Sequence, residues 1–249
     1  MLELSNVTAG YKDLTVLENV TATFQKGALT SIIGTNGCGK STLLKTILGI
    51  LSPANGEITL DGQDLHAMSQ NQIARRIAYL AQGKSTPDMT VEQMVLHGRF
   101  PYLNYPRRYA QRDIEIAREA MESVGIAHLA KKPLATLSGG MRQTAYIAMA
   151  LAQDTDYILL DEPTTYLDIA HSLALMQLLR RLADSGKGIV TVMHDLPLAF
   201  EFSNDILILE NGNAKTQAAP NALLGTTVIP EVFGVRIKTT DSGKYYYDA

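Results

Sequence analysis

Ser31-Ile32-Ile33-Gly34-Thr35-Asn36-Gly37-Cys38-Gly39-Lys40-Ser41-Thr42-Leu43-Leu44 is the stretch from which the fold can be read. Within it, Gly34 to Ser41 follows the spacing glycine, four residues, Gly-Lys-Ser. Residues 29–33 are apolar and β-branched and read as a buried strand; residues 42–51 read as a helix. Glycines let backbone N–H groups turn inward toward an anion, and the helix behind them points its positive end at the same spot. In that setting Lys40 can bridge outer phosphates and the Ser41 hydroxyl can ligate Mg²⁺.

Outward from this loop the chain alternates strands and helices. Residues 2–7 and 20–24 read as strands, with Tyr11 between them in a polar loop, Gly10-Tyr11-Lys12-Asp13. Residues 57–60 read as a strand closed by the hairpin signal Asp61-Gly62. Another strand, 77–80, leads to Gln82. The character then changes: a capping box at Thr90-Val-Glu-Gln93, a Pro- and Tyr-containing loop at 98–106, and an amphipathic helix at 111–124. Past Ser138 the alternation returns, with a helix at 141–152, a strand at 157–160, a helix at 169–183, a strand at 188–193, a short helix at 198–202 and a strand at 206–209. This order predicts an α/β layered fold with parallel strands.

Composition sets the outer bounds. The 249 residues suit one core with a subdomain attached, and 46% hydrophobic with 19% charged residues is ordinary for a globular protein. A net charge of −3 makes nucleic acid a poor partner. Cys38 is the one cysteine, so no intramolecular disulfide forms, and a cytosolic setting fits. The start, MLELSNV, lacks the features of a signal peptide, and no run of about eighteen apolar residues is long enough to span a bilayer.

Two acids follow the apolar run at 157–160. Asp161 stands at the buried end of a strand, where it can bind Mg²⁺ directly or through water. Strand alternation would point Glu162 the other way, toward a phosphate and its attacking water, as a general base. Taken alone the pair reads equally as a cap on the next element; the phosphate loop favours the catalytic reading. Ser138-Gly139-Gly140 at a helix start is a second anion site by the same reasoning, and in isolation equally a plain N-cap.

In order, GTNGCGKST, Gln82, LSGGMRQ, YILLDEP, TTYLD and His194 resemble the ATP-binding cassette (ABC) ATPases, over residues 2–209. The resemblance implies a phosphate-loop NTPase core with an N-terminal antiparallel β subdomain and a helical subdomain at 83–137, all within one domain spanning 1–249. Residues 213–249 form an extension whose role stays open: a strand extension, a regulatory segment or a dimer brace. It further implies hydrolysis of ATP with Mg²⁺ by a head-to-tail homodimer. Tyr11 would then stack on adenine, and Gly34, Asn36, Gly37, Cys38, Gly39, Lys40, Ser41 and Thr42 would hold the phosphates. Ser41, Gln82 and Asp161 would hold the metal. Ser138, Gly139 and Gly140 would complete the other copy's site, with Asp168 in the loop that crosses the interface. Glu162 would polarise the water and His194 contact the γ-phosphate, with Lys40 and Gln82 completing the catalytic set. Met141, Thr144 and Thr35 depart from the usual pattern and remove no catalytic group.

Finer wording is similar to the branch that serves iron–siderophore, haem and vitamin B12 uptake: Gly98-Arg-Phe-Pro101, Leu151-Ala-Gln-Asp-Thr155, Thr164-Thr-Tyr-Leu-Asp-Ile169 and His194-Asp195-Leu196. That implies an importer subunit, peripheral on the cytoplasmic face of the cell (inner) membrane. Its partners would be transmembrane permease subunits, touched through residues 82–106, and indirectly a substrate-binding protein. The other classes are a non-transport ABC ATPase of DNA repair or ribosomes, and a regulatory cassette that binds ATP without turnover. His66, His97, His128 and His171 have no metal-ligand spacing, Arg107-Arg108 reads as a solvated pair, and Tyr245-Tyr-Tyr247 reads as an edge strand without a function.

Overall fold

A computed structural model describes residues 1–12, 14–83 and 86–248. Its centre is a six-stranded sheet in the order β10-β9-β3-β8-β7-β6. These strands are β3 (Leu29–Gly34), β6 (Ile77–Leu80), β7 (Tyr157–Asp161), β8 (Gly188–Val192), β9 (Asp205–Glu210) and β10 (Asn213–Ala218). All neighbours run parallel except β10, which returns antiparallel along β9. Every residue of β3, β7 and β8 is buried, as expected for parallel strands covered on both faces. Hence they read as continuous apolar runs rather than alternating ones.

One face of this sheet is covered by α1 (Lys40–Ile47) and by a second sheet, β2-β1-β4-β5, formed from β1 (Leu2–Tyr11), β2 (Leu14–Phe24), β4 (Asn55–Leu60) and β5 (Gln63–Asp64). This is the expected antiparallel β subdomain. Leu43, Leu44 and Ile47 of α1 join Leu4, Val20 and Phe24 on one side and Ile32, Leu159 and Leu207 on the other in one apolar cluster. Each fully buried side chain of this size stabilises by about 1.5–3 kcal/mol, so the helix behind the phosphate loop is clamped between two sheets. The Asp61-Gly62 hairpin forms as predicted, with positive φ of 51° and 78° at its two central residues. α2 (Gln70–Ala74) leads into β6.

The opposite face carries α6 (Ile169–Asp184), α7 (Leu196–Phe202) and a helical unit of α3 (Val91–Leu96), α4 (Gln111–Ser123) and α5 (Gly139–Ala152). α5 packs on both α3 and α4, so this unit runs past residue 137. Thr90 and Gln93 form the expected capping box. The loop expected at 98–106 instead begins as a 3₁₀ turn, His97–Tyr102. It is held by a buried ion pair: Arg99 Nε donates to Asp113 Oδ1 at 3.0 Å and Arg99 Nη1 to Ala152 O at 2.9 Å. The second Asp113 oxygen accepts the Ala110 N–H at the start of α4.

Other differences have local causes. β1 continues through Gly10 and Tyr11, so these are strand rather than loop; Asp13 lies outside the described residues. α1 stops at Ile47, well short of 51, because Leu48 caps it and Gly49 turns left-handed at φ 64°. Beyond β10, α8 (Pro220–Leu223) and α9 (Val228–Phe233) precede a hairpin of β11 (Arg236–Thr239) and β12 (Tyr245–Asp248). Among the described residues no helix is long and apolar enough to cross a membrane.

Candidate functional site

Four parallel strands end on the same side, and each delivers one expected motif. β3 runs into the phosphate loop, β7 ends at Asp161, β8 is followed by His194, and β6 is followed by Gln82. Ligand sites lie at the carboxyl ends of strands in open α/β sheets. Register brings these ends level: Leu80 pairs with Leu160, Asp161 with Val192, and Val192 with Ile32.

The loop is held tightly from below. A Cβ at Gly34 would stand 2.2 Å from Leu209 O and 2.6 Å from Cys38 Sγ, so only glycine fits. Gly37 turns the chain at φ 78°. Lys40 Nζ donates to Gly34 O and Thr35 O, both at 2.9 Å, and so lies across the loop it serves. Cys38 is 4% exposed; its Sγ faces the core beneath the loop and burial raises the thiol pKa. Its backbone N–H donates to Thr35 O at 3.3 Å. Asn36, Gly37, Gly39, Lys40, Ser41 and Thr42, with Val16 and Glu162, line an open depression of about 180 Å³.

Ser41 Oγ donates to Asp161 Oδ1 at 3.2 Å, and the Tyr79 hydroxyl reaches Asp161 Oδ2 at 3.4 Å. Burial holds the Asp161 carboxyl above its usual range, opposed only in part by the Ser41 hydrogen bond. Tyr79 is raised by the same burial and then by the Asp161 charge. Ser41 and Asp161 offer hard oxygen donors of the kind Mg²⁺ takes. Among the described residues no group of three His, Cys, Asp or Glu could hold a metal, so substrate phosphates and water would complete the shell.

Glu162 is reached differently from the expectation. It lies one residue past β7 with φ 51°, so a left-handed backbone, not strand alternation, aims its side chain. His194 Nε2 is 2.6 Å from Oε1, Thr165 Oγ1 donates to Oε2 at 3.1 Å, and the Gln82 side-chain amide donates to Oε2 as well. Gln82, Glu162 and His194, which are far apart in the chain, thus form one cluster facing the loop. Thr165, Tyr79 and Val16 were not singled out in the sequence. Tyr79 looks like an ordinary strand residue there and Val16 falls between the two strands read at 2–7 and 20–24, although β2 in fact begins at Leu14, whereas Thr165, three positions after Glu162, is a natural turn partner.

Tyr11, the last residue of β1, does not line this depression; its hydroxyl lies 3.4 Å from Lys45 Nζ of α1. Ser138 caps α5, its Oγ accepting the Met141 N–H at 3.3 Å. Gly140 packs against His171: a Cβ there would meet the ring at 2.2 Å. His171 Nδ1 is 2.8 Å from Asp168 Oδ1, and Asp168 caps α6 by accepting the His171 N–H at 2.8 Å. Those two bonds, the backbone one first, hold the Asp168 carboxyl below its usual range. Ser138, Gly139 and Gly140 do not line the loop's own depression; Gly139 instead borders a second cleft of about 260 Å³ with Gln82 and Glu162. Beside Asp168, Tyr166 is 92% and Ile169 81% exposed.

Comparison with known proteins agrees with this geometry. Residues 17–165 match the family model described as ABC transporter. The chain is 42% identical over 237 residues to the ferric enterobactin transport ATP-binding protein FepC of Escherichia coli (strain K12), covering 94% of this chain and 88% of that protein. It is 40% identical over 236 residues to the iron(3+)-hydroxamate import ATP-binding protein FhuC of Bacillus subtilis (strain 168), covering 94% and 88%. A bacterial ABC transporter cassette solved as a dimer superposes with a TM-score of 0.75 at 29% identity, covering 88% of this chain and 99% of that one.

Proposed function

This chain belongs to the ABC transporter family of ATPases, and from that membership we propose that it is the ATP-hydrolysing subunit of an importer for iron–siderophore complexes. The observation that carries the catalytic part is the Glu162 carboxylate, held by His194, Thr165 and Gln82 above the phosphate loop. The cargo class rests on the printed roles of the relatives.

ATP would lie with its adenine at Tyr11 and its phosphates over Gly34, Asn36, Gly37, Gly39, Lys40, Ser41 and Thr42. Lys40 would exchange the loop carbonyls for phosphate oxygens. Mg²⁺, held by Ser41 and Asp161 with Gln82, would neutralise phosphate charge. Glu162 accepts a proton as water oxygen attacks the γ-phosphorus and the bond to the bridging oxygen breaks, leaving ADP and phosphate. His194, whose Nε2 now holds Glu162, would turn that N–H to the γ-phosphate once ATP is bound, a charge-stabilising contact.

The chain would act as a homodimer, Ser138-Gly139-Gly140 of one copy closing the depression of the other. The exposed Tyr166 and Ile169 beside Asp168 suit such an interface. On the helical side, Phe100 is 43% and Tyr105 97% exposed within the segment expected to touch permease subunits, and this docking would hold the protein at the cytoplasmic face of the membrane. A substrate-binding protein would act on the far side. The test is uptake of iron-loaded siderophore in cells lacking this chain and complemented with it or with Glu162→Gln. Restored uptake is expected from the native chain alone; uptake independent of the chain rejects the importer reading.

A further inference from the structure

Tyr245-Tyr-Tyr247 belongs to β12, where alternation puts Tyr245 and Tyr247 on one face. That face lies on α7. The Tyr245 ring packs on Phe200 with centroids 5.5 Å apart and planes tilted by 59°, and its hydroxyl donates to Asn221 Oδ1 at 3.0 Å. Lys244 pairs with Glu201. At the other end of α7, the Tyr247 hydroxyl accepts the Leu196 backbone N–H at 3.2 Å. The hairpin is itself anchored by buried Ile237, which pairs with Tyr247 across the ladder, and by Lys238 on Asp248 at 2.7 Å.

The start of α7 is the point of interest. Its opening N–H groups have no partner within the helix. Asp195 Oδ1 takes the Leu198 N–H at 3.0 Å, and Tyr247 takes the Leu196 N–H. Between this start and the end of β8 at Val192 stands His194, whose Nε2 is 2.6 Å from Glu162. His194 stands two residues past β8 and directly before Asp195, the cap of α7, so a tie that fixes the first turn of α7 also limits how this short link can turn.

We propose that Tyr247 is a positioning residue for ATP hydrolysis: its hydroxyl fixes the first turn of α7 and thereby the orientation of His194 against Glu162. The C-terminal hairpin is then a latch on the catalytic turn rather than only a cover for the core. This rests on the role given to His194 above. Tyr247 touches no part of the phosphate-loop depression, so its removal alters rate and not nucleotide affinity.

The test uses the full chain as Tyr247→Phe, His194→Ala and the double variant. Tyr247→Phe is expected to lower kcat about threefold to tenfold, the scale of one lost hydrogen bond at a positioned group, with KM for ATP unchanged and Tm lowered by no more than about 2–4 °C. Amide exchange at Leu196 should quicken. In the His194→Ala background the added Phe should cost nothing further. Normal kcat in Tyr247→Phe with a slow His194→Ala overturns the latch alone. An equal loss in both backgrounds also overturns it, since Tyr247 would then act elsewhere. Full turnover in His194→Ala overturns the His194 assignment and this proposal with it.

Discussion

Two helices in this molecule begin at glycine-bearing turns, and they differ in what their first N–H groups meet. α1 starts after Gly39 with no side-chain cap, and its N-terminus opens on a depression lined by Lys40, Ser41 and Glu162. α5 starts after Ser138, whose hydroxyl already takes the Met141 N–H, and it lines no part of that depression. The same backbone device therefore opens on a walled depression in one place and on no part of it in the other, where the proposed dimer would give it the other copy's depression to close. Surroundings decide the difference: converging strand ends build walls around α1, whereas α5 is packed against α3 and α4 and its start lies outside those walls.

The strongest way to sharpen this contrast is Glu162→Gln. Turnover should fall by about 10² to 10⁴, the usual worth of a general base, while ATP binding persists; solution mass with and without ATP should report a trapped dimer. Normal turnover would remove Glu162 from the role of base. Next in size is Arg99→Ala, which leaves Asp113 buried without its partner (they are 6% and 9% exposed). Loss of one member of such a pair costs about 3–5 kcal/mol. Urea denaturation should show it, with the helical unit around α3–α5 losing amide protection before β3 and α1. Equal loosening of α1 would mean that the two regions are one cooperative body.

Gly140→Ala addresses the half-site directly. The added Cβ would displace the His171 ring and its bond to Asp168. About tenfold lower turnover is expected at unchanged nucleotide affinity in the isolated chain, a factor equal to about 1.4 kcal/mol. Weakened binding to the isolated chain would break the comparison, because it would place α5 within the same copy's site. The smallest effect concerns the seam between sheets. Asp61 pairs with the Met1 ammonium, Lys26 and Arg76, and the ammonium first, then Lys26, lower its carboxyl to about 2. A folded-state pKa below the unfolded value near 3.8 means stability present above pH about 4 and lost as pH falls toward 2. Since Asp61 is 35% exposed, water screens the pair to about 1 kcal/mol or less. Asp61→Asn should therefore be slightly less stable at neutral pH and equal to the native chain near pH 2, by urea midpoints.

Much of this site was legible in linear order. Gly34 to Thr42, Asp161, Glu162, Gln82 and His194 each stand where an apolar run ends, and an apolar run with a motif at its end is visible without coordinates. Side-chain aim was less legible. Alternation predicted that Glu162 would turn away from Asp161, yet its direction comes from a left-handed φ of 51°, which nothing in Asp-Glu-Pro announces. The Cys38 side chain is buried beneath the loop with its sulfur 3.9 Å from Lys40 Nζ, a placement that the glycine spacing does not announce. Arg99 read as family wording; its pairing with Asp113 spans fourteen positions and leaves no local pattern.

The sequence by itself determined which chemistry is available. Glycine spacing, a lysine, a serine and two acids after buried strands are local facts, and local facts survive in one dimension because steric and hydrogen-bonding rules act over a few residues. Only the tertiary structure decided which of these groups meet. Strand order β3-β8-β7-β6 is set by burial of whole sheets and helices, a sum over distant residues. That order lays Gln82 and His194 on either side of Glu162 and brings Tyr247 to the first turn of α7.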